Sequence, residues 1–336
     1  MGAKRPTVYD VAHHLGVSVS TVSRAFSNPQ RVNAATRRAV HDAARDLGYL
    51  PRPLARVAAS GRDQVLTLVV TDIANPYYAP LVKAAQREAL ARGYTLALAD
   101  SDESPQVEAG NLRRLLATAG GGILATSRLS DATVRQLAEH RPLVVLNREV
   151  SGIPSLVVDT ATGMRKVVRH LAALGHERVA YLSGPRNSWA NSARWRALHD
   201  EAMTLGLHAE FLGPFTPNRH GGREAADLLI LTRATAAVAY NDLVAIGTLE
   251  RLRSAGIRVP ADCSLVGCDD IFGTDLTVPG LTTIGGPTEE VGRYAVEVLH
   301  ARLADFDAAP VHRTFEAHLV IRESTGPRPD VETSGN

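Results

Sequence analysis

Thr7-Val-Tyr-Asp-Val-Ala-His-His-Leu-Gly-Val-Ser-Val-Ser-Thr-Val-Ser-Arg24 reads as two short helices around a tight turn. Val8, Val11, Ala12 and Leu15 fall at the i, i+3, i+4, i+7 spacing of one apolar helix face. Thr7 is placed to cap that helix and Gly16 to stop it. Ser18 is placed to cap a second helix through Val22 and Ala25. A third starts near Asn33, carries Val40, Ala43, Ala44 and Leu47, and ends at Gly48. Two helices joined by about three residues that include a glycine form a helix-turn-helix, which presents its second helix to the DNA major groove. On spacing alone, a plain three-helix bundle is the alternative. Composition favours DNA. The free face of the second helix carries Val19, Ser20, Ser23 and Arg24 in place of the usual Glu and Lys. Short side chains let a helix lie close to base edges, and an arginine can then bind guanine O6 and N7 with both arms.

Charge separates this head from the rest. Residues 1–60 hold nine bases and three acids, a net of +6, and the remaining 28 bases and 32 acids leave −4. The chain total of +2 conceals a basic head on a mildly acidic body, an asymmetry typical of contact with nucleic acid. No window approaches about 18 consecutive apolar residues, so no membrane span is expected. The polar stretch Met1 to Asp10 reads against a secretory leader, and a cytoplasmic location is expected. Cys263 and Cys268 are the two cysteines. On one strand, an odd separation puts them on opposite faces about 16 Å apart, so two reduced core thiols are expected.

From Val65 the pattern becomes strands alternating with helices. Expected strands are Val65–Thr71, Thr95–Ala99, Gly122–Thr126, Leu143–Leu146, Ser155–Val158, Arg178–Ser183, Ala236–Tyr240, Leu265–Cys268 and Leu319–Ile321. Expected helices include Pro80–Arg92, Thr162–Leu174, Arg194–Leu205 and Leu243–Ser254. About 265 residues exceed one comfortable open sheet, so two doubly wound parallel-sheet lobes with a cleft between them are expected. Ligands in such folds sit beyond the C-terminal ends of strands.

Enzyme signatures are missing from the sequence. There is no G-x-G-x-x-G, Walker loop, H-E-x-x-H or G-x-S-x-G, and Gly120-Gly-Gly122 enters a strand without opening a helix. His13-His14 points in two directions on one helix and reads as surface, not as a metal pair. No enzyme activity, metal or cofactor is expected. Two rival classes are a secreted sugar-binding protein, which needs a leader and no head, and a sugar-modifying enzyme, which needs a positioned nucleophile, base or metal.

The head resembles the LacI/GalR family of bacterial transcription regulators. Asp10-Val-Ala, Gly16-Val-Ser, Thr21-Val-Ser-Arg24 and Leu47-Gly-Tyr49 carry the resemblance, which extends over nearly the whole chain. It implies a small all-α helix-turn-helix head and a periplasmic-binding-protein-like α/β body. The expected domains are the head at 1–50, a hinge linker at 51–62, the two-lobed body at 63–326 and a polar tail at 327–336. Lobe 1 is expected at about 63–159 and 286–310, and lobe 2 at about 160–285 and 311–326. Thr325 to Asn336 has no leucine heptads, so a tail-mediated tetramer is not expected.

By that resemblance Val19, Ser20 and Arg24 read bases, and Thr7, Thr21, Ser23 and Asn28 lie at nearby phosphates or bases. Arg31 joins them on electrostatic grounds. Leu50-Pro-Arg-Pro-Leu-Ala-Arg-Val-Ala-Ala-Ser-Gly-Arg62 is read as a simple spacer or, in the family, as a hinge helix that enters the minor groove and kinks the duplex. Ala55 and Arg56 match the hinge pattern, but the leucine wedge position holds Ala58. Alanine offers less apolar surface to lodge between base pairs, so weaker kinking, or a wedge shifted to Val57, is expected. A circular-permutation bending assay checks this, and a full-sized kink that survives Val57→Ala overturns it.

In the body, Asp72-Ile-Ala-Asn-Pro-Tyr-Tyr78 resembles the family's D-x-x-N-P-F/Y-F segment. Asn147-Arg148 stands where Asp-Arg is frequent, and Ala197 and Leu198 replace a usual Gly and Phe after Arg194. Cys268 stands where Tyr or Phe is usual. The effector cleft implied by resemblance holds Tyr77, Tyr78, Ser127, Arg148, Asp159, Arg194, Phe215, Asn241 and Asp269. Carboxylates and guanidinium groups each bind pairs of hydroxyls, and aromatic rings cover the C–H faces of a sugar. Bland readings stand beside these. Asp72 and Asp159 also read as helix caps, Tyr77, Tyr78 and Phe215 as packing, Arg194 as a surface ion pair, and Trp189 as either a ligand cap or packing. The implied function is an effector-responsive repressor of carbohydrate uptake or catabolism genes. It is expected to act as a homodimer on a pseudo-palindromic operator under control of a sugar or sugar derivative.

Overall fold

The structure, a computed structural model, describes residues 7–27, 32–47, 64–139 and 141–329. The chain divides into two units, Met1–Arg62 and Asp63–Asn336.

The first unit contains α1 (Val8–Leu15), α2 (Val19–Ser27) and α3 (Ala34–Asp46). Val11, Ala12, Val22, Ala25, Val40, Ala43 and Ala44 form its core. The Asp10 carboxylate accepts from the Thr7 backbone N–H at 2.6 Å and from the Thr7 hydroxyl at 2.7 Å, which ties down the start of α1. Gly16 ends it at φ +63°, and the Val17 N–H reaches back to the Ala12 carbonyl at 3.1 Å. A left-handed residue is needed there to turn the chain, which is why glycine suits the position.

In the second unit, β1 (Val65–Val70), β2 (Thr95–Asp100), β3 (Gly121–Ala125), β4 (Leu143–Leu146), β5 (Ser155–Val158) and β11 (His312–Phe315) form one all-parallel sheet in the order β11-β5-β4-β3-β1-β2. Alternation along each strand feeds two layers. Leu66, Leu68, Val70, Ile123, Ala125, Val144 and Leu146 face a core shared with α4 (Tyr78–Ala91) and α11 (Thr288–Ala304). Val69, Leu124, Leu143 and Val145 face α5 (Pro105–Leu116) and α6 (Asp131–Ala138).

The second sheet, β7-β6-β8-β9, is likewise parallel and comprises β6 (Arg178–Leu182), β7 (His208–Leu212), β8 (Ala236–Ala239) and β9 (Ser264–Val266). Val179, Tyr181 and Val238 pack with α7 (Thr160–Ala173) and α8 (Trp189–Thr204). Ala180, Leu182, Ala237 and Ala239 pack with α9 (Arg219–Leu229) and α10 (Asp242–Ser254). Both cysteines are free and buried, Cys268 in the first of these layers and Cys263 in the second, so they lie on opposite faces. Burial pushes the Cys263 thiol up to about 12, leaving it an uncharged core group.

The antiparallel pair β10 (Thr283–Gly285) and β12 (His318–Val320) joins the second lobe, where Thr282 bridges to Val266. One expected boundary needs correction. The segment 311–326 does not lie wholly in lobe 2, because β11 pairs with β5 through His312↔Ser155 to Phe315↔Val158. The chain therefore recrosses between Phe315 and His318. Strand β11 adds a parallel edge to the first sheet, a pairing that local sequence does not signal.

Candidate functional site

The head exposes one face of α2. Ser20 and Arg24, four residues apart and therefore on one side of the helix, are exposed. Val19 is half-buried against the head core, and Val22 faces inward. The Ser18 hydroxyl accepts the Thr21 N–H at 3.2 Å and lies 2.8 Å from Thr21 Oγ1 and 2.9 Å from Ser20 Oγ. This capping cluster sets the direction in which α2 emerges. Tyr9, which the sequence reading left out, is 69% exposed on α1 and is the one large apolar side chain so exposed among the described head residues. The side chain of Ser23, and all of Asn28, Arg31, Ala55, Arg56 and Ala58, lie outside the described residues.

In the body, two adjoining pockets of about 330 and 380 Å³, counting their open parts, share Tyr77, Asn147, Arg194 and Asp269. The residues around them follow β1, β3, β4, β8 and β9, at the C-terminal ends of the strands where α/β ligand sites form. Tyr78 OH bonds to Thr71 Oγ1 at 2.7 Å and to Thr126 Oγ1, and Tyr77 OH accepts from Asn147 Nδ2 at 2.6 Å. The two rings meet edge to face with centroids 5.2 Å apart.

Two buried arginines organise the cleft. Arg128 grips the Glu103 carboxylate through Nε and Nη2 at 2.6 and 3.1 Å, donates Nη1 to the Thr126 carbonyl at 3.1 Å, and brings Nη2 to 3.4 Å from Tyr240 OH. Arg194 donates Nη1 to the Tyr240 carbonyl, Nη2 to Asp269 Oδ1 at 3.2 Å and Nε to Thr160 Oγ1 at 3.2 Å. Its guanidinium lies 5.1 Å over the Tyr240 ring. Tyr240 thus has one arginine on its ring face and the other at its hydroxyl, the latter reaching across from the first lobe.

Each guanidinium meets a carboxylate in a low-dielectric setting, so charge is matched inside the cleft. Burial lifts the Asp269 carboxyl to about 6 against the opposing pull of Arg194. Asp242, beneath it, is lifted to about 7 by burial first and then by repulsion from Asp269, while the Thr283 hydroxyl at 2.6 Å and the Ile271 N–H at 2.9 Å hold it down. Groups whose folded values are raised retain protons that the unfolded chain has lost. Their stabilisation is complete below about pH 4 and is lost as pH rises through about 6 to 7. The body is expected to be more stable at pH 5 than at pH 8, with Asp242→Asn flattening the slope. Urea midpoints at the two pH values check this.

Among the sequence-based candidates, Tyr77, Tyr78, Arg194, Asn241 and Asp269 line the two pockets. Asn241 also caps α10 by accepting the Val244 N–H at 2.9 Å. Four candidates do not line them. Ser127 is buried behind the cleft and accepts the Leu129 N–H at 3.2 Å. Arg148 turns away to donate to the Ser127 and Leu129 carbonyls at 3.1 and 2.7 Å and to Asp131, fastening the turn before α6. Asp159 caps α7 by accepting the Thr162 N–H at 2.9 Å. Phe215 is buried in the outer core of the second lobe. The cleft groups that sequence reasoning passed over are their neighbours Thr126, Asn147 and Thr160, together with Glu103, Arg128 and Tyr240. Thr126 and Asn147 adopt φ +55° and +58°. That left-handed step breaks the in–out alternation of the strand just before it, so counting onward from the strand picks the wrong neighbour.

Residues 7–52 match the family model for bacterial regulatory proteins of the lacI family, and residues 168–325 match the model for a periplasmic binding protein-like domain. The chain is 30% identical over 328 residues to the HTH-type transcriptional repressor CytR of Escherichia coli (strain K12), covering 95% of this chain and 96% of that protein. Among solved structures, the lac repressor dimer bound to operator and the anti-inducer ONPF is similar with a TM-score of 0.80 and 27% identity, over 96% of this chain and 100% of that one. The transcriptional regulator CelR–cellobiose complex is similar with a TM-score of 0.69 and 28% identity, over 95% of this chain and 100% of that one. A helix-turn-helix head, a two-lobed body of parallel sheets and this similarity along nearly the full length describe a DNA-binding transcription regulator and not an enzyme: the chain belongs to the lacI family of bacterial regulatory proteins.

Proposed function

We propose that this regulator is a cytoplasmic homodimeric repressor of carbohydrate uptake or catabolism genes, and that a neutral sugar bound between its lobes sets its grip on a pseudo-palindromic operator. The observation that carries the ligand class is charge matching in the cleft. Arg128 is paired with Glu103 and Arg194 with Asp269, and the remaining lining is rich in hydroxyl and amide groups. A neutral polyol can exchange hydrogen bonds with such a lining, whereas a phosphate would meet two carboxylates and no spare cation. The cellobiose complex of a similar regulator supports a sugar, and the operator-bound dimer of another supports the DNA mode. The effector acts by binding one arrangement of the lobes more tightly than the other, a coupling of typically about 1–3 kcal/mol.

A thermal-shift screen of neutral sugars, nucleosides and sugar phosphates tests the ligand. A true effector at about a hundred times its dissociation constant stabilises by roughly 2.7 kcal/mol. Neutral sugars are expected to produce shifts that Asn147→Ala removes. Stabilisation by sugar phosphates alone sinks the neutral-ligand reading. At the DNA end, Arg24→Ala is expected to cost about 1–3 kcal/mol and relax base preference while leaving the steep salt dependence largely intact. Competition binding measures this. If the variant keeps the parent's affinities for both operator and scrambled duplex, Arg24 does not read bases.

A further inference from the structure

Another cavity lies at the other end of the first sheet. It offers room of about 360 Å³, within the roughly 300–1,000 Å³ typical of small-molecule pockets. Its walls come from residues that lead into three strands, Tyr94 before β2, Gly120 before β3 and Pro142 before β4, and from the last turn of α11 and its exit. The cleft described above opens at the opposite, C-terminal ends of the same strands.

The chemistry of this cavity differs from that of the cleft. Arg141 and Arg302 line it and no carboxylate does. Neither arginine makes an ion pair among the described residues, in contrast to Arg128 and Arg194. Arg302 donates Nη1 to the Ala308 carbonyl, and its guanidinium lies 5.5 Å over the Phe306 ring. Its Nε is buried with no hydrogen-bond partner among the described residues. A buried charged donor left unmet is costly, so the geometry favours an acceptor arriving from outside. The negative end of the α11 dipole accounts for a cation at Arg302, but not for Arg141 on a separate segment or for the unmet Nε. Tyr94 OH lies 2.8 Å from His300 Nδ1, and the two rings stand edge to face, adding a flat polarisable wall beside Pro142 and Phe306.

We propose that this cavity binds a small organic anion, a carboxylate or phosphate ester carried on a flat ring, with Arg141 and Arg302 holding the anion and Tyr94, Pro142 and Phe306 covering the ring. Two guanidinium groups that meet no carboxylate among the described residues select the anion, and the aromatic and proline walls select its body. The Gly120 N–H in the wall donates to the Val65 carbonyl at 2.9 Å, so an occupant also steadies the first residue of β1, three positions after Arg62.

Isothermal titration of the full chain with phenyl phosphate, benzoate, inorganic phosphate and benzyl alcohol tests the site. One or both ring-bearing anions should saturate at one per chain, with inorganic phosphate and benzyl alcohol weaker by roughly tenfold or more. Binding of phenyl phosphate alone, or of benzoate alone, would identify the ester or the carboxylate as the preferred anion. Arg141→Ala and Arg302→Ala should each weaken binding by about tenfold or more, while Asn147→Ala in the cleft leaves it unchanged. Arg141→Ala removes no hydrogen bond seen among the described residues, so it remains informative if Arg302→Ala loosens the end of α11. The proposal fails if neither ring-bearing anion binds below about 10 mM, if both arginine variants bind like the parent, or if Asn147→Ala abolishes binding and so assigns it to the cleft.

Discussion

Arg194→Ala is expected to lower the melting temperature of the body by roughly 10 °C, from a loss of about 3–5 kcal/mol, and to abolish the response to the cleft ligand. Arg194 and Asp269 are each about nine-tenths buried, so removing the guanidinium strands a carboxylate beside Asp242, which is itself fully buried. The Tyr240 carbonyl and the Thr160 hydroxyl lose a donor in the same step. Most of the cost is the unpaired charge, not the worth of the pair, because a buried ion pair and a well-packed neutral replacement are often close in energy. The double variant Arg194→Ala/Asp269→Asn is therefore expected to recover part of the lost stability without recovering ligand binding. Thermal melts of the parent, the two single variants and the double variant complete the cycle. A double variant no more stable than Arg194→Ala would show that the stranded carboxylate is not the source of the loss.

Gly247→Ala is the second large effect, a loss of about 3 kcal/mol from overpacking. Helices α9 and α10 approach closely where Gly222 and Gly247 lie. A Cβ on Gly247 would stand 2.1 Å from the Arg219 carbonyl oxygen, and one on Gly222 would stand 2.2 Å from that of Val244. Both obstacles are backbone, so relief requires one helix to slide against the other. Helix α10 begins immediately after Tyr240 and Asn241, so the slide also displaces two cleft residues. Gly256→Ala is the control. Gly256 has φ +79° with open space where the Cβ would go, so only backbone strain of about 1 kcal/mol is expected. Urea denaturation separates the two, and equal losses would mean that the helices part without resistance.

The body's central strands were legible because they are buried on both faces. Leu143–Leu146 and Ser155–Val158 occur at the expected bounds, and both are largely buried apolar runs. Strand β7 is not legible in the sequence because it is an edge strand with its residues exposed or half-exposed, so it carries no apolar signature. The same holds for β11, of which only Phe315 is buried. The two pockets lie at the post-strand loops. Within them Asn147, not Arg148, and Thr126, not Ser127, line the pockets, because a positive φ reorients the chain one residue before the candidate.

Local sequence determined the head. Its caps, its Gly16 stop and the exposed pair Ser20 and Arg24 rest on contacts no more than five residues apart, which helical periodicity encodes directly. The charge balance of the cleft was a tertiary decision. Glu103 and Arg128 are 25 residues apart, and Arg194 and Asp269 are 75 apart. Each arginine could have been a solvated surface charge until packing buried it against one particular carboxylate. The physical reason is that burial sets the energy of a charge, and burial is a property of the folded chain as a whole.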